Sequence, residues 1–249
     1  MRQLLPHPVD PIDPVDVYAG LPAADGRPAL RLNMIASVDG AITVGGVSGP
    51  LGGAGDHRVF TALRSFADAI LVAAGTVRAE GYGPASVPLV IVTRSCQLDL
   101  DAPLFTETPV RPVVVTVATA PSERRERAAE VADVLVAGER DVDLPAALCA
   151  LGRRGHASVL AEGGPTLNAQ LARADLIDEL CLTVSPVLAG GDAGRILAGP
   201  PLPSTHRFAP VSVCEDDGFL FLRLRPATER TTDPAPSRPA SPASRIAGL

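Results

Sequence analysis

The residues best suited to chemistry are Glu162-Gly163-Gly164-Pro165-Thr166-Leu167, between an apolar run (158–161) and a helical pattern. Two adjacent glycines let backbone approach a ligand with no Cβ in the way. A helix beginning there presents free N–H groups and a positive dipole end, which suits a pyrophosphate. The same residues also make an ordinary strand-to-helix turn with Pro165 at the first helical position. Glu162 favours the ligand reading, because a carboxylate ending an otherwise apolar strand needs a partner or a ligand.

Three further segments could join it. Gly75-Thr76-Val77 follows the apolar run 69–73 and reads either as a second phosphate-facing helix start or as a glycine turn capped by Thr76. Thr93-Arg94-Ser95 ends the run 89–92. Two hydroxyls flanking a guanidinium could hold a phosphate dianion, although a polar strand end is the commoner explanation. Ser37-Val38-Asp39-Gly40 is a turn signal, and Asp39 would sit at the C-terminal edge of a strand, where open α/β sheets bind ligands. The stretch 45–55 holds six glycines without the spacing of a dinucleotide or P-loop fingerprint, and reads as a loop over a site. No Ser-His-Asp or Cys-His constellation emerges from the spacing.

These segments must be held by a regular frame. Apolar runs at 30–36, 69–73, 89–92, 113–117, 134–136 and 158–161 alternate with helical patterns at 56–66, 122–132, 144–151 and 166–172. Strands apolar on both faces, separated by helices, predict a mostly parallel central sheet flanked by helices. Runs at 179–187, 211–214 and 219–224 follow, with Asp216-Asp217-Gly218 between the last two. That predicts a C-terminal antiparallel hairpin. Residues 1–27, broken by prolines, read as an irregular N-terminal arm. Residues 28–226 form the body, and 227–249, rich in Pro, Ala, Ser and Thr, read as a disordered tail.

Composition narrows the function classes. The chain has 249 residues, 46% hydrophobic, with a net charge of −6 and no basic run, which argues against nucleic acid or an anionic membrane as partner. It contains no lysine, so lysine Schiff-base chemistry and a P-loop lysine are excluded. Cys96, Cys149, Cys181 and Cys214 form no CxxC pair and read as free thiols in a reducing compartment, hence cytoplasmic. His7, His57, His156 and His206 are scattered, so no metal site is expected. The arm has no continuous apolar stretch resembling a secretory signal, and no run is long enough to span a membrane.

Taken in order, ASVDG (36–40), ILVAAGTVRAEGYGP (70–84), VTRS (92–95), LAEGGPTLNAQL (160–171) and DELCLTVSPVLAGG (178–191) resemble the pyrimidine reductases of riboflavin biosynthesis, the 5-amino-6-(5-phosphoribosylamino)uracil reductase-like family. The resemblance covers about residues 28–225. It implies a dihydrofolate-reductase-like α/β fold, NADPH as cofactor and a homodimer. It also implies reduction of a ribosylamino-pyrimidine phosphate to its ribitylamino form, with hydride reaching C1′ of the ring-opened imine. No side chain is assigned as catalytic, because the cofactor carries the chemistry.

By position, the resemblance puts Gly75, Thr76, Val77, Thr93, Arg94, Ser95, Gly163, Gly164, Thr166 and Leu167 at the cofactor. It puts Asn33, Ser37, Asp39, Glu80 and Glu162 at the substrate, and it suggests a cis Gly163–Gly164 bond. Two positions depart from the family pattern. Asn33 stands where a lysine is usual, and Glu80-Gly81-Tyr82 replaces an Asp-Asn/Asp-Pro stretch followed by an arginine. A reductase of the same fold acting on another heterocycle, such as dihydrofolate, is the first alternative. A nucleotide-binding protein without turnover is the second, and Ser37, Asp39 and Glu162 together count against it. The apolar surplus of 180–187 and 219–224 points to dimerisation through these strands.

Overall fold

The computed structural model describes residues 1–227. The tail expectation, 227–249, lies outside the described residues except for Ala227.

The chain order is β1 (Arg2–Leu5), α1 (Pro14–Tyr18), β2 (Ala29–Ser37), α2 (Ala54–Ser65), β3 (Ala69–Ala73), α3 (Ala74–Glu80), β4 (Leu89–Val92), α4 (Pro103–Thr106), β5 (Val113–Thr116), α5 (Ser122–Val131), β6 (Asp133–Val136), α6 (Leu144–Arg153), β7 (Ser158–Ala161), α7 (Pro165–Arg173), β8 (Glu179–Ser185), β9 (Phe208–Asp216) and β10 (Phe219–Pro226). Ten strands form one sheet in the order β1-β9-β10-β8-β2-β7-β3-β4-β5-β6. The seven strands from β8 to β6 run parallel; β10, β9 and β1 complete it antiparallel. The expected parallel sheet with a C-terminal hairpin is therefore present.

Strand β3 explains why the runs are continuous rather than alternating. Leu71 points into a core shared with α6 and α7, through Leu148, Leu151 and Leu171. Its neighbours Ile70 and Val72 point into a second core with Val77, Leu104 and Phe105. Both faces are covered, so both sets of residues must be apolar. No helix of the described residues is long and apolar enough to cross a membrane.

The arm departs from expectation. Arg2–Leu5 pairs with β9, and Pro14–Tyr18 forms a helix capped by Asp13, whose Oδ1 accepts from the Val15 N–H at 2.8 Å. Val17 and Tyr18 bury beside Val59, Leu63 and Phe221. A five-residue helix carries too little periodicity to read from sequence, and its stability comes from that packing.

Strand β7 lies between β2 and β3, so the turns β7–α7 and β3–α3 leave the same edge of the sheet side by side.

Candidate active site

A cavity of about 860 Å³ opens at that edge, lined by Gly75 and Thr76 from one turn, Glu162 and Gly164 from the other, and Asn33 from β2. Helix α2 and the glycine-rich loop wall it on the far side. Gly164 is the N-cap of α7, with Pro165 at N1 and no side chain capping the helix. Gly163 has φ +90°, open to glycine and strained for other residues, and the Gly163–Gly164 peptide is cis. A Cβ on Gly164 would come within 2.6 Å of Thr76 Oγ1, so only glycine lets the two turns approach this closely. Beneath them Asn168 donates to the Ile196 carbonyl at 2.8 Å, while its buried Oδ1 has no partner. A cradle of backbone with no Cβ, at an uncapped helix start, suits the pyrophosphate of a dinucleotide.

Glu162, expected to need a partner or a ligand, has its partners within the chain. Its oxygens accept from Arg64 Nε and Nη2, each at 2.8 Å, and from the Tyr82 hydroxyl at 2.7 Å. Arg64 itself lies over the Phe60 ring, 4.2 Å from its centroid. Burial opposes the Arg64 charge, yet the bonds to Glu162 raise its pKa overall. Burial and the adjacent carboxylate push the Tyr82 phenol well up, so it stays protonated and donates. Arg64 and Tyr82 were missed by sequence reasoning. Arg64 follows Phe60 by one helical turn, which places both on the cavity face.

The residues 28–220 match the model of the RibD C-terminal domain. The chain belongs to that family. It is 32% identical over 186 residues to the 2,5-diamino-6-ribosylamino-4(3H)-pyrimidinone 5′-phosphate reductase of Aquifex aeolicus, covering 70% of this chain and 83% of the relative. A protein of the same name from Archaeoglobus fulgidus is 32% identical over 183 residues, covering 66% and 83%. Among solved structures, a pyrimidine reductase-like protein from Corynebacterium diphtheriae superposes with a TM-score of 0.76 at 27% identity, covering 88% of this chain and all of that one.

Within this RibD-type domain, the remaining sequence assignments divide. Asn33 and Glu80 line the cavity, and Glu80 accepts from the Ser48 N–H at 3.0 Å, pinning the glycine-rich loop. Ser37 and Asp39 do not line it. The Ser37 hydroxyl donates to Asp39 Oδ1 at 2.5 Å and accepts from the Ala41 N–H at 2.9 Å. Asp39 also accepts from the Ala189 and Gly190 N–H groups at 3.0 and 2.7 Å. The Ser37 bond, then those two, lower its pKa to about 2. The pair ties one loop to another, which is the turn reading of that segment.

Val77 and Leu167 pack into the two cores on opposite faces of the sheet, so only their backbones face the turns. Thr166 is exposed. Thr93 is buried, and its Oγ1 accepts from Ser95 and Cys96 N–H groups at 3.3 and 3.2 Å. Arg94 is exposed beside Asp141, Nη1 to Oδ1 3.3 Å, and this trio lies outside the cavity lining. Asp56 and His57, unassigned in the sequence, line the cavity from the first turn of α2.

Proposed function

We propose that this chain reduces 2,5-diamino-6-ribosylamino-4(3H)-pyrimidinone 5′-phosphate to its ribityl form in riboflavin biosynthesis, with NADPH as the preferred reductant. The observation that carries this reading is the pair of adjacent turns, Gly75-Thr76 and Gly163-Gly164, at the mouth of a cavity in a chain of the RibD family. The nicotinamide supplies a hydride for C1′ of the ring-opened imine. The protein binds, aligns and excludes water. Gly75 and Gly164 bring backbone to the pyrophosphate. Glu162 and Arg64 neutralise one another, so the cavity wall next to that anion carries little net charge. Glu80, through Ser48, holds the loop that closes over the heterocycle.

Arg94 supports the preference for NADPH. Among the described residues its one ion-pair partner is an equally exposed Asp141, so its guanidinium is available, beside Ser95, to a 2′-phosphate. Exposed Val187, Leu188 and Leu220 support a homodimer through the C-terminal strands. The free cysteines fit a reducing, cytoplasmic setting.

A second reading, another heterocycle such as dihydrofolate, draws on one observation. Arg64 is the one guanidinium lining the cavity among the described residues, and Glu162 engages it, leaving no free one for a substrate phosphate. Parallel assays of reduced-cofactor oxidation separate the two. The pyrimidinone phosphate should be turned over and dihydrofolate should not; the reverse selects the second reading. In the same assay Arg94→Ala should raise KM for NADPH at least about tenfold, for charge-assisted bonds worth ~1.5–3 kcal/mol, and leave NADH nearly unchanged. Equal loss with both cofactors would remove Arg94 from the phosphate site.

A further inference from the structure

Asp56 is the one carboxylate of the cavity that no guanidinium or backbone N–H of the described residues reaches. Glu162 is held by Arg64 and Tyr82, and Glu80 by the Ser48 N–H. Beside Asp56 lie the buried Thr183 of β8 and the neighbouring His57. At the third position of α2 it could have closed a capping box on the Gly53 N–H, yet no such bond forms. Burial raises its pKa, and Thr183 and His57 offset that shift only in part. Gly52 stands beside it. A Cβ there would lie 3.2 Å from Oδ2, so glycine keeps one edge of the carboxylate clear.

A carboxylate with open acceptor capacity inside a substrate cavity calls for donors from the ligand. The 2-amino-4(3H)-pyrimidinone ring has two on one edge, N3–H and the C2 amino group, spaced to meet both carboxylate oxygens. Its deaminated counterpart, the 5-amino-uracil, keeps N3–H but turns a carbonyl oxygen toward the second acceptor. That contact loses a hydrogen bond and sets two oxygens against each other.

We propose that Asp56 reads position 2 of the pyrimidine and makes this enzyme selective for the 2-amino pyrimidinone phosphate over the uracil phosphate. The inference rests on the reductase function proposed above and adds the residue that chooses between its two substrates. It also sets the order of reactions: reduction of the ribosyl chain would precede hydrolytic loss of the 2-amino group.

The test compares kcat/KM for both phosphates at saturating reduced cofactor, using the full chain and Asp56→Asn. The unaltered chain should favour the 2-amino substrate at least about tenfold. A carboxamide offers one acceptor and one donor, matching the N3–H and C2 carbonyl of the uracil. Asp56→Asn should therefore invert the ratio. Asp56→Ser, with one small hydroxyl, should bring it toward unity and keeps the test decisive if the Asn variant folds poorly. Unchanged cofactor affinity would show that either variant retains the site. An unchanged ratio in a folded variant, equal loss on both substrates, or a wild-type preference for the uracil would overturn the proposal. Failure of the unaltered chain on both phosphates would instead overturn the reductase function itself, and the specificity claim with it.

Discussion

Two buried glutamates, Glu162 and Glu179, end up in opposite roles, and their partners explain why. Glu179, fully buried at the start of β8, accepts from Nε of Arg31 at 2.6 Å and from Nε of Arg223 and Arg225, each at 2.9 Å. Further donors of these arginines go to the carbonyls of Val17, Tyr18, Ala19 and Gly20 at the end of α1. That cluster is closed to the cavity: it fastens the arm to the sheet and none of its members lines the cavity. Glu162 has a single arginine, and that arginine is part-exposed to a cavity. A buried charge alone therefore does not mark a site; a partner set that opens onto space for a ligand does.

The largest expected effect breaks the closed cluster. Glu179→Gln leaves three guanidinium groups around a neutral amide and should lower unfolding free energy by ~3–5 kcal/mol. Denaturant titration measures it, and a loss confined to activity would make the two glutamates alike after all. A smaller stability effect and a larger functional one are expected at the open cluster. Glu162→Gln swaps one acceptor for a donor and should cost ~1–2 kcal/mol of stability. Catalytic efficiency should fall at least about tenfold, while cofactor affinity changes less than about threefold. Lost cofactor binding with normal turnover at saturation would move Glu162 to the cofactor side.

The frame of this molecule was largely legible in its sequence, and its pairings were not. Residues 69–73 and 158–161 read as strands because both faces of a covered sheet demand apolar side chains. The glycine turns read as ligand-facing because glycine tolerates close backbone approach; what the fold shows at Gly164 is close approach to Thr76, where a Cβ would lie 2.6 Å from Oγ1. Glu162 was singled out as a carboxylate in need of a partner, but the partner, Arg64, lies 98 residues away on another element. Nothing in linear spacing links them. Ser37 and Asp39 satisfy one another and a loop 150 residues on, a partner set that the turn motif alone does not reveal. Asp56 carried no motif at all; only the cavity around it gives it meaning.

On the proposed function, a nicotinamide would transfer hydride to the sugar carbon of a ribosylamino-pyrimidinone phosphate in the cavity beside Glu162. The most direct measurement uses reduced cofactor deuterated on the transferring carbon of its nicotinamide, with the purified full chain and that substrate. One deuterium should appear in the product by mass spectrometry, and NMR should place it on C1′ of the ribityl chain. Cofactor left unconsumed, or a reduced product without deuterium at C1′, would contradict the account.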